Sequence, residues 1–198
     1  MPRALTPEQV RQLRALLTYD LQAIDRDVPD LVDLMLATGL RIGEATALHW
    51  EDIDLVKGTI NVQTTIHRIR GEGIILSETT KTDAGQRLLR LPTWAVAMLD
   101  RRDRSDGPVF PAPKKGGLRD SSNTQAHIRD AVRNAGFGWI TSHTLRKTVA
   151  TTMDEAGLSA RATADQLGHA QPSVTQDVYM GRKLADTGAA AALEAFGF

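Results

Sequence analysis

Two short segments of the chain each place an arginine three residues from a second ionisable side chain. In TGLRIGE the pair is Arg41 and Glu44, and in SHTLRKT it is His143 and Arg146. An arginine guanidinium stays charged and presents a rigid set of N–H donors that matches the oxygens of a phosphate group. Two such groups would stabilise the charge that builds on a phosphodiester during nucleophilic attack, without a metal ion.

A third segment, LGHAQPSVTQDVY, supplies a nucleophile. It carries His169 and ends ten residues later at Tyr179. A phenol has an ordinary pKa of about 10, so Tyr179 needs a proton acceptor or a strongly cationic environment to attack phosphorus at neutral pH. His143 is the candidate base. His169 is a candidate hydrogen-bond donor to the phosphate oxygens.

Each of these features also has an ordinary structural explanation. The first pair could form a surface ion pair at a helix start, which is common and contributes little to stability. The second pair could be two exposed polar side chains on one helical face. His169 follows a glycine where a helix ends and where a cation is favoured, and Tyr179 could be a half-buried aromatic side chain. The joint occurrence of the segments, in this order, favours chemistry.

The three segments resemble the tyrosine recombinase family, and its phage-integrase group in particular, over roughly residues 4–182. TGLRIGE is similar to the first arginine box of that family, HTLR to its H-x-x-R motif, and LGH to its L-G-H motif, which the nucleophilic tyrosine follows. The segment TKT, between two predicted strands, resembles the segment that carries the family's β-hairpin lysine. The resemblance implies catalytic roles for Arg41, Lys81, His143, Arg146, His169 and Tyr179, with Glu44 orienting its neighbours.

The resemblance also implies a reaction and its partners. Attack by Tyr179 on double-stranded DNA would give a 3′-phosphotyrosyl bond and a free 5′-hydroxyl, with Lys81 as the general acid for the departing 5′-oxygen. The 5′-hydroxyl of a partner strand would then reverse the step, so that neither ATP, a cofactor nor a metal is expected. Family members act as homo-tetramers on DNA. We expect the isolated chain to be a monomer in which Tyr179 is displaced from the arginines.

Other functions remain open on the residues alone. A metal-free phosphodiesterase or ribonuclease using His143, His169 and Lys81 would form no covalent adduct and would tolerate Tyr179→Phe. A non-catalytic DNA-binding relative would keep the fold without cutting, although all six positions are filled. A type IB topoisomerase shares the chemistry, but the L-G-H motif and the short chain favour an integrase.

Composition limits the possible classes of protein. The 198 residues include no cysteine, which excludes disulfides, iron–sulfur clusters and thiolate zinc sites. No apolar run approaches the roughly 20 residues of a membrane span, and the N-terminus lacks the apolar region of a signal peptide. A cytoplasmic location is therefore expected.

Charge is distributed unevenly, although the formal net charge is zero. Residues 1–54 carry a net charge of −5, residues 55–150 carry +8 and residues 151–198 carry −3. Such an asymmetry can present one positive face to a polyanion, although scattered surface charge would give the same count. We expect about half of the following residues to contact DNA phosphates: Arg68, Arg70, Arg87, Arg101, Arg102, Arg104, Lys114, Lys115 and Arg119.

The surrounding pattern predicts an α+β fold that is mainly α-helical with a small antiparallel β-sheet, the tyrosine recombinase catalytic-domain fold. Thr6 is expected to cap a first helix, and Gly39 to end a second over 29–38. A third helix is predicted over 42–48, and strands over 59–66, 74–76 and 87–91. Thr93 is expected to cap a helix that runs to about residue 102. A loop over 103–120 precedes further helices, with breaks at 136–138, 157 and 168–172, and an Ala-rich helix near the C-terminus.

We interpret residues 1–198 as a single catalytic domain. The resemblance implies either a fragment of a longer protein or a minimal natural form, and we favour the fragment. Residues 1–5 would be a linker remnant, and residues 182–198 a tail of the kind that family members dock on a neighbouring subunit. Tyr19, His49 and His67 are expected to have structural or surface roles. The three tryptophans, Trp50, Trp94 and Trp139, are expected in the core.

Overall fold

The computed structural model describes residues 4–69, 71–78, 86–104, 106–168 and 188–197. Helices predominate and the strands pair antiparallel, which confirms the predicted α+β class. The helices are α1 (Pro7–Leu17), α2 (Leu21–Asp25), α3 (Val28–Thr38), α4 (Ile42–Ala47), α5 (Thr93–Asp100), α6 (Ser121–Asn134), α7 (Ser142–Glu155), α8 (Ala160–Leu167) and α9 (Ala189–Leu193). The strands are β1 (Ile53–Asp54), β2 (Thr59–Val62), β3 (Thr64–Ile69), β4 (Gly73–Glu78) and β5 (Arg87–Arg90).

The predicted strand over 59–66 is wrong in one respect, because it is two strands in two sheets. β2 lies between β1 and β5, whereas β3 pairs only with β4 among the described strands. The chain passes from one sheet to the other at Gln63, whose side-chain amide donates to Asp52 (2.7 Å). β2 buries Ile60 and Val62 against the core. The second half of β3 is exposed, so the β3–β4 hairpin extends away from that core.

Helix ends follow the capping chemistry of the sequence in most places. Thr6 and Gln9 form the predicted capping box at the start of α1. The prediction for α5 is wrong by one residue, because Pro92 is the N-cap and Thr93 is the first helical residue. The N–H and hydroxyl of Thr93 donate instead to the distant carboxylate of Glu194.

The core is built around α3, which packs against α1, α5, α6 and α7. Leu31, Leu34 and Leu36 of this helix are completely buried. Leu5, in the predicted linker remnant, is also buried, and its N–H donates to the hydroxyl of Thr148 on α7 (3.0 Å).

The described part of the tail packs on this same chain. Leu193 and Phe196 are fully buried, and the indole N–H of Trp94 donates to the carbonyl of Leu193 (2.9 Å). A guanidinium N–H of Arg14 donates to the carbonyl of Phe196. Docking of the tail on a neighbouring subunit stays a prediction.

Two of the three tryptophans behave as predicted. Trp50 and Trp94 are partly buried against the core, whereas Trp139 is 41% exposed in the turn after α6, contrary to the prediction. None of the helices in the described ranges has the length and apolar character needed to cross a membrane.

Candidate active site

The turn between α3 and α4 brings the first arginine to the site. Gly39 ends α3 with φ of 72°, a left-handed conformation that glycine adopts without steric cost. A Cβ at this position would lie 2.5 Å from Leu167 Cδ2 of α8 and 3.2 Å from Val149 Cγ1 of α7. The close approach therefore joins the end of α3 to α7 and α8, and Arg41, two residues later, begins α4 beside them.

Glu44 holds Arg41 at the start of α4. Its carboxylate accepts the backbone N–H of Arg41 (2.9 Å) and a guanidinium N–H of the same residue (3.0 Å). Glu44 is 4% exposed, whereas the Arg41 side chain is 51% exposed. The pair is therefore anchored at its acidic end and open to solvent at its basic end.

Arg87 of β5 pairs with the other side of the same carboxylate. Its Nη2 lies 2.9 Å from Oε2 of Glu44, and both side chains are buried. Burial by itself would raise the pKa of the Glu44 carboxyl. The charge and hydrogen bonds of Arg87, together with those of Arg41, outweigh burial and hold that pKa below its usual range.

The first turn of α7 supplies the second motif. Thr141 caps the helix by accepting the N–H of Thr144, which leaves His143 exposed in the first turn. Arg146, one turn later, points inwards and is 6% exposed. Its guanidinium donates to the carbonyls of Gly39 (2.7 Å) and Leu167 (2.6 Å).

Among the described residues, no carboxylate accepts a hydrogen bond from the buried Arg146. Its acceptors there are neutral carbonyls, and the described charges that act on it are Arg41, Glu44 and Arg87. Burial, with the repulsion from Arg41, lowers the pKa of the Arg146 guanidinium to about 10. The group remains charged at neutral pH, and its environment favours the arrival of an anion.

The carboxyl end of α8 is the point at which the arginines meet. Gly168 ends this helix in the left-handed conformation, with φ of 65°. Carbonyls at a helix C-terminus carry partial negative charge and attract cations. Three successive carbonyls each accept from a different arginine: Gln166 from Arg87 Nε (3.0 Å), Leu167 from Arg146 Nη2 (2.6 Å) and Gly168 from Arg41 Nη2 (3.5 Å).

The structure thus brings together part of the predicted set. Arg41, Glu44 and Arg146 converge, and His143 lies one helical turn from Arg146. Lys81, His169 and Tyr179 lie outside the described residues, as does the predicted displacement of Tyr179. Within the described ranges, no three histidine or acidic side chains are grouped to hold a metal ion.

Two of the predicted phosphate contacts are wrong, because their side chains are buried in the fold. Arg87 pairs with Glu44. Arg119 is 2% exposed and donates to the hydroxyl of Thr124 (3.0 Å) and to the carbonyl of Arg26 (2.6 Å). Arg102 is also engaged, by Asp27 and Asp30. Arg70 lies outside the described residues. The remaining candidates are exposed: Arg68, which pairs with Asp120, and Arg101, Arg104, Lys114 and Lys115.

The family model described as the phage integrase family matches residues 3–183, which is most of the chain. The chain belongs to the phage integrase family. Among curated relatives, tyrosine recombinase XerD of Neisseria meningitidis serogroup A is 31% identical over 89% of this chain and 57% of its own length. The integrase of Staphylococcus phage L54a is 28% identical over 88% of this chain and 54% of its own length. The chain therefore spans just over half the length of these relatives.

Solved structures of integrases and recombinases share the fold. The Tn1549 transposon integrase, solved with circular intermediate DNA, superposes with a TM-score of 0.76 at 22% identity, covering 86% of this chain and 60% of its own. The XerA recombinase has a TM-score of 0.68 at 23% identity, over 100% of this chain and 60% of its own. The predicted family and the tyrosine recombinase catalytic-domain fold are confirmed.

Proposed function

We propose that this chain is the catalytic domain of a site-specific DNA recombinase, which cleaves and rejoins double-stranded DNA through a 3′-phosphotyrosyl bond to Tyr179. The observation that carries the proposal is the convergence of Arg41 and Arg146 on the carboxyl end of α8, directly before His169 in the chain. Motifs more than 100 residues apart are thereby gathered around one point. Among the described residues, their positive charges outnumber the carboxylates that act on Arg146, of which Glu44 is the one.

The arrangement suits a phosphodiester anion. Arg41 is half exposed and reaches solvent, so its free donors can contact the non-bridging oxygens of a phosphate. Arg146 adds a buried positive charge behind it. Charge stabilisation in such a partly desolvated site is stronger than in water.

The proposed chemical step moves one bond and one proton at each end. The phenolic oxygen of Tyr179 forms a bond to phosphorus, and its proton passes to His143. The bond from phosphorus to the 5′-oxygen breaks, and Lys81 protonates that oxygen. His169 donates a hydrogen bond to the phosphate. Ligation is the reverse step with the 5′-hydroxyl of a partner strand.

The proposal extends to the assembly. Family resemblance supports a homo-tetramer of the full-length protein on two DNA duplexes and a monomer for the isolated chain. A cytoplasmic location fits a DNA substrate. Solved relatives include XerH bound to its difH substrate and the Tn1549 integrase bound to transposon DNA, which supports DNA as the partner.

Covalent trapping tests the proposed function. The chain is incubated with nicked duplex DNA in EDTA and then denatured, and a gel is used to detect a protein–DNA adduct. We expect an adduct that survives detergent, maps to Tyr179 and is absent from Tyr179→Phe. Tyr19→Phe is the matched control, because Tyr19 is 83% exposed and remote in sequence from the motifs.

The other outcomes are equally informative. Cleavage without an adduct, unaffected by Tyr179→Phe, would reject the recombinase proposal in favour of a phosphodiesterase. Salt-sensitive DNA binding with neither adduct nor cleavage, on nicked and intact duplexes alike, would favour a non-catalytic DNA-binding relative.

A further inference from the structure

The α8 cluster consists of Arg41, Glu44, Arg87 and Arg146 at the carboxyl end of α8, and Arg87 is its arginine that is buried against the carboxylate of Glu44. Its side chain is 5% exposed, and each of its three nitrogens faces a protein acceptor. Nη2 and Nη1 lie 2.9 and 3.4 Å from the two carboxylate oxygens of Glu44, and Nε lies 3.0 Å from the carbonyl of Gln166. A DNA phosphate would have to displace these groups before it could touch Arg87.

The carboxylate that Arg87 binds is the same one that orients Arg41. Glu44 accepts both the backbone N–H and a guanidinium N–H of Arg41, so two arginines share one buried acid. Within the described ranges, the charged groups that act around Glu44 are Arg41 on its own helix, Arg87 from β5 and Arg146 from α7. β3 meets α4 at Gly43 through the uncharged Thr65 and Ile66. Among these cations, Arg87 is the one buried in direct contact with the carboxylate.

Arg87 also fixes the helix end that carries the next motif. It binds the carbonyl of Gln166, one residue before the carbonyls that accept from Arg146 and Arg41. The side-chain amide of Gln166 in turn donates to the carbonyl of Thr38 (3.0 Å). The end of α8 is therefore tied to β5 on one side and to the end of α3 on the other.

We infer that Arg87 is a positioning residue of the strand-cleavage reaction, which acts through Glu44 on Arg41 and through Gln166 on the end of α8. The inference rests on the proposed function, since it concerns the same site. It also replaces the interpretation of Arg87 as a phosphate contact, because Arg87 is buried against Glu44. The two roles predict different measurements.

Three substitutions separate the parts of this role. Arg87→Met removes the charge and every donor, whereas Arg87→Lys keeps the charge and loses the fork that binds Glu44 and Gln166 together. The double variant Glu44→Gln/Arg87→Met removes the buried carboxylate along with its partner, so it remains informative if the single methionine variant does not fold. Arg90→Met is the matched control, because Arg90 is on the same strand with an exposed side chain.

The rate of adduct formation at saturating nicked DNA is the first measurement. We expect Arg87→Met to slow it about 10- to 100-fold at neutral pH, the scale on which misplaced catalytic groups act. Loss of Arg87 removes the largest charge that offsets burial, so the pKa of Glu44 should rise and the slow rate should recover partly as pH is raised. Arg87→Lys should be slow by a smaller factor with the wild-type pH profile, and Arg90→Met should match wild type.

Thermal stability without DNA is the second measurement, and it should show the opposite pH trend. With the Glu44 pKa raised above its unfolded value, ionisation of this acid destabilises the folded state as pH rises through that pKa. The melting temperature of Arg87→Met should therefore fall relative to wild type over the same pH range in which its activity recovers. The double variant should lose this pH-dependent difference. A purely structural role would move stability and activity together.

The salt dependence of DNA binding is the third measurement. A phosphate contact would lower the slope of log K against log salt by about 1 when removed. We expect an unchanged slope for Arg87→Met. A reduced slope, or adduct rates equal to wild type at every pH in both single variants, would overturn the inference while leaving the proposed function intact. If wild type itself forms no adduct, the proposed function fails and the inference falls with it, while the stability trend still reports the Glu44–Arg87 pair.

Discussion

Two arginines in this molecule are both largely enclosed, but their pKa values are shifted in opposite directions. Arg102 donates to the carboxylates of Asp27 and Asp30, each at 2.7 Å, and lies over the ring of Phe110. Burial alone would lower its pKa, but the two carboxylates outweigh burial and raise it. Arg146 donates only to backbone carbonyls among its described hydrogen bonds, and burial lowers its pKa to about 10.

The difference lies in the partners and not in the depth of burial. The two carboxylates offset the charge of Arg102 and occupy its donors, so Arg102 attracts an incoming anion less than Arg146 does. An arginine held by carbonyls keeps its orientation and its full charge. Arg102 therefore holds α3 to the end of α5 through Asp27 and Asp30, whereas the α8 cluster gathers the positive charge that the proposed function would direct at a phosphate.

Replacement of Arg146 by methionine tests the arginine that is held by carbonyls. Of the variants considered, it should have the largest effect on adduct formation. We expect adduct formation at saturating DNA to fall about 10²- to 10³-fold, because the buried charge of Arg146 stabilises the negative charge that develops on the phosphate. The free energy of unfolding should change by about 1 kcal/mol or less, because two lost hydrogen bonds are offset by removal of a buried uncompensated charge. Urea denaturation measures the second quantity. A large loss of stability with normal cleavage would contradict the comparison.

Glu44→Gln removes the one buried acid of the α8 cluster and should destabilise the fold by about 3 kcal/mol at pH 7. The folded pKa of Glu44 is depressed, so its contribution is present above its unfolded pKa of about 4.3 and is lost as pH falls through the lower folded value. The gap in unfolding free energy between wild type and variant should therefore close in acid. Urea titrations at several pH values measure this, and a gap that widens in acid would show the opposite sign.

Arg102→Met tests the arginine that is paired with carboxylates. It leaves Asp27 and Asp30 without their shared cation, and we expect a loss of about 2 kcal/mol of unfolding free energy. This is less than for a fully buried pair because the two acids are 28% and 33% exposed. Adduct formation by the folded fraction should be unchanged. Arg104→Met is the control, since its pair with Asp100 is more than half exposed and should be worth under about 0.5 kcal/mol.

Gly39→Ala should have a smaller effect on stability, about 1–2 kcal/mol, because alanine disfavours the left-handed conformation. The added Cβ would also crowd Leu167 and Val149. Since the carbonyl of Gly39 accepts from Arg146, we expect adduct formation to slow as well. Paired melting and trapping experiments check both effects. Loss of stability with an unchanged rate would show that the turn does not position Arg146.

The sequence predicted part of the local structure beside this site because glycine after an apolar helical pattern favours a helix end. Gly39 was expected to end a helix and Thr6 to cap another, and both predictions are confirmed. Burial of Arg87 was missed, although a signal existed. Alternation along β5 puts Arg87 on the same face as Leu89, which is fully buried, whereas Arg90 lies on the other face.

Other features could not be predicted from the sequence, because they depend on tertiary contacts. Arg102 and Arg146 are the same residue type, and their opposite environments arise from contacts with residues that are distant in the chain, such as Asp27 for one and Gly39 for the other. The break at Gln63 also depends on tertiary contacts, because a continuous β-branched run favours one strand.

The position of Gly39 has a consequence for how such a protein can be altered. A single glycine ends a helix, lets two others approach and presents the carbonyl that holds Arg146. Selection for thermal resistance and selection for DNA cleavage would therefore reject the same substitutions there. Changes at the exposed α1–α2 corner, where Tyr19 and Leu21 are more than 80% exposed, leave the two traits free to vary separately. A directed-evolution library is best concentrated at that corner.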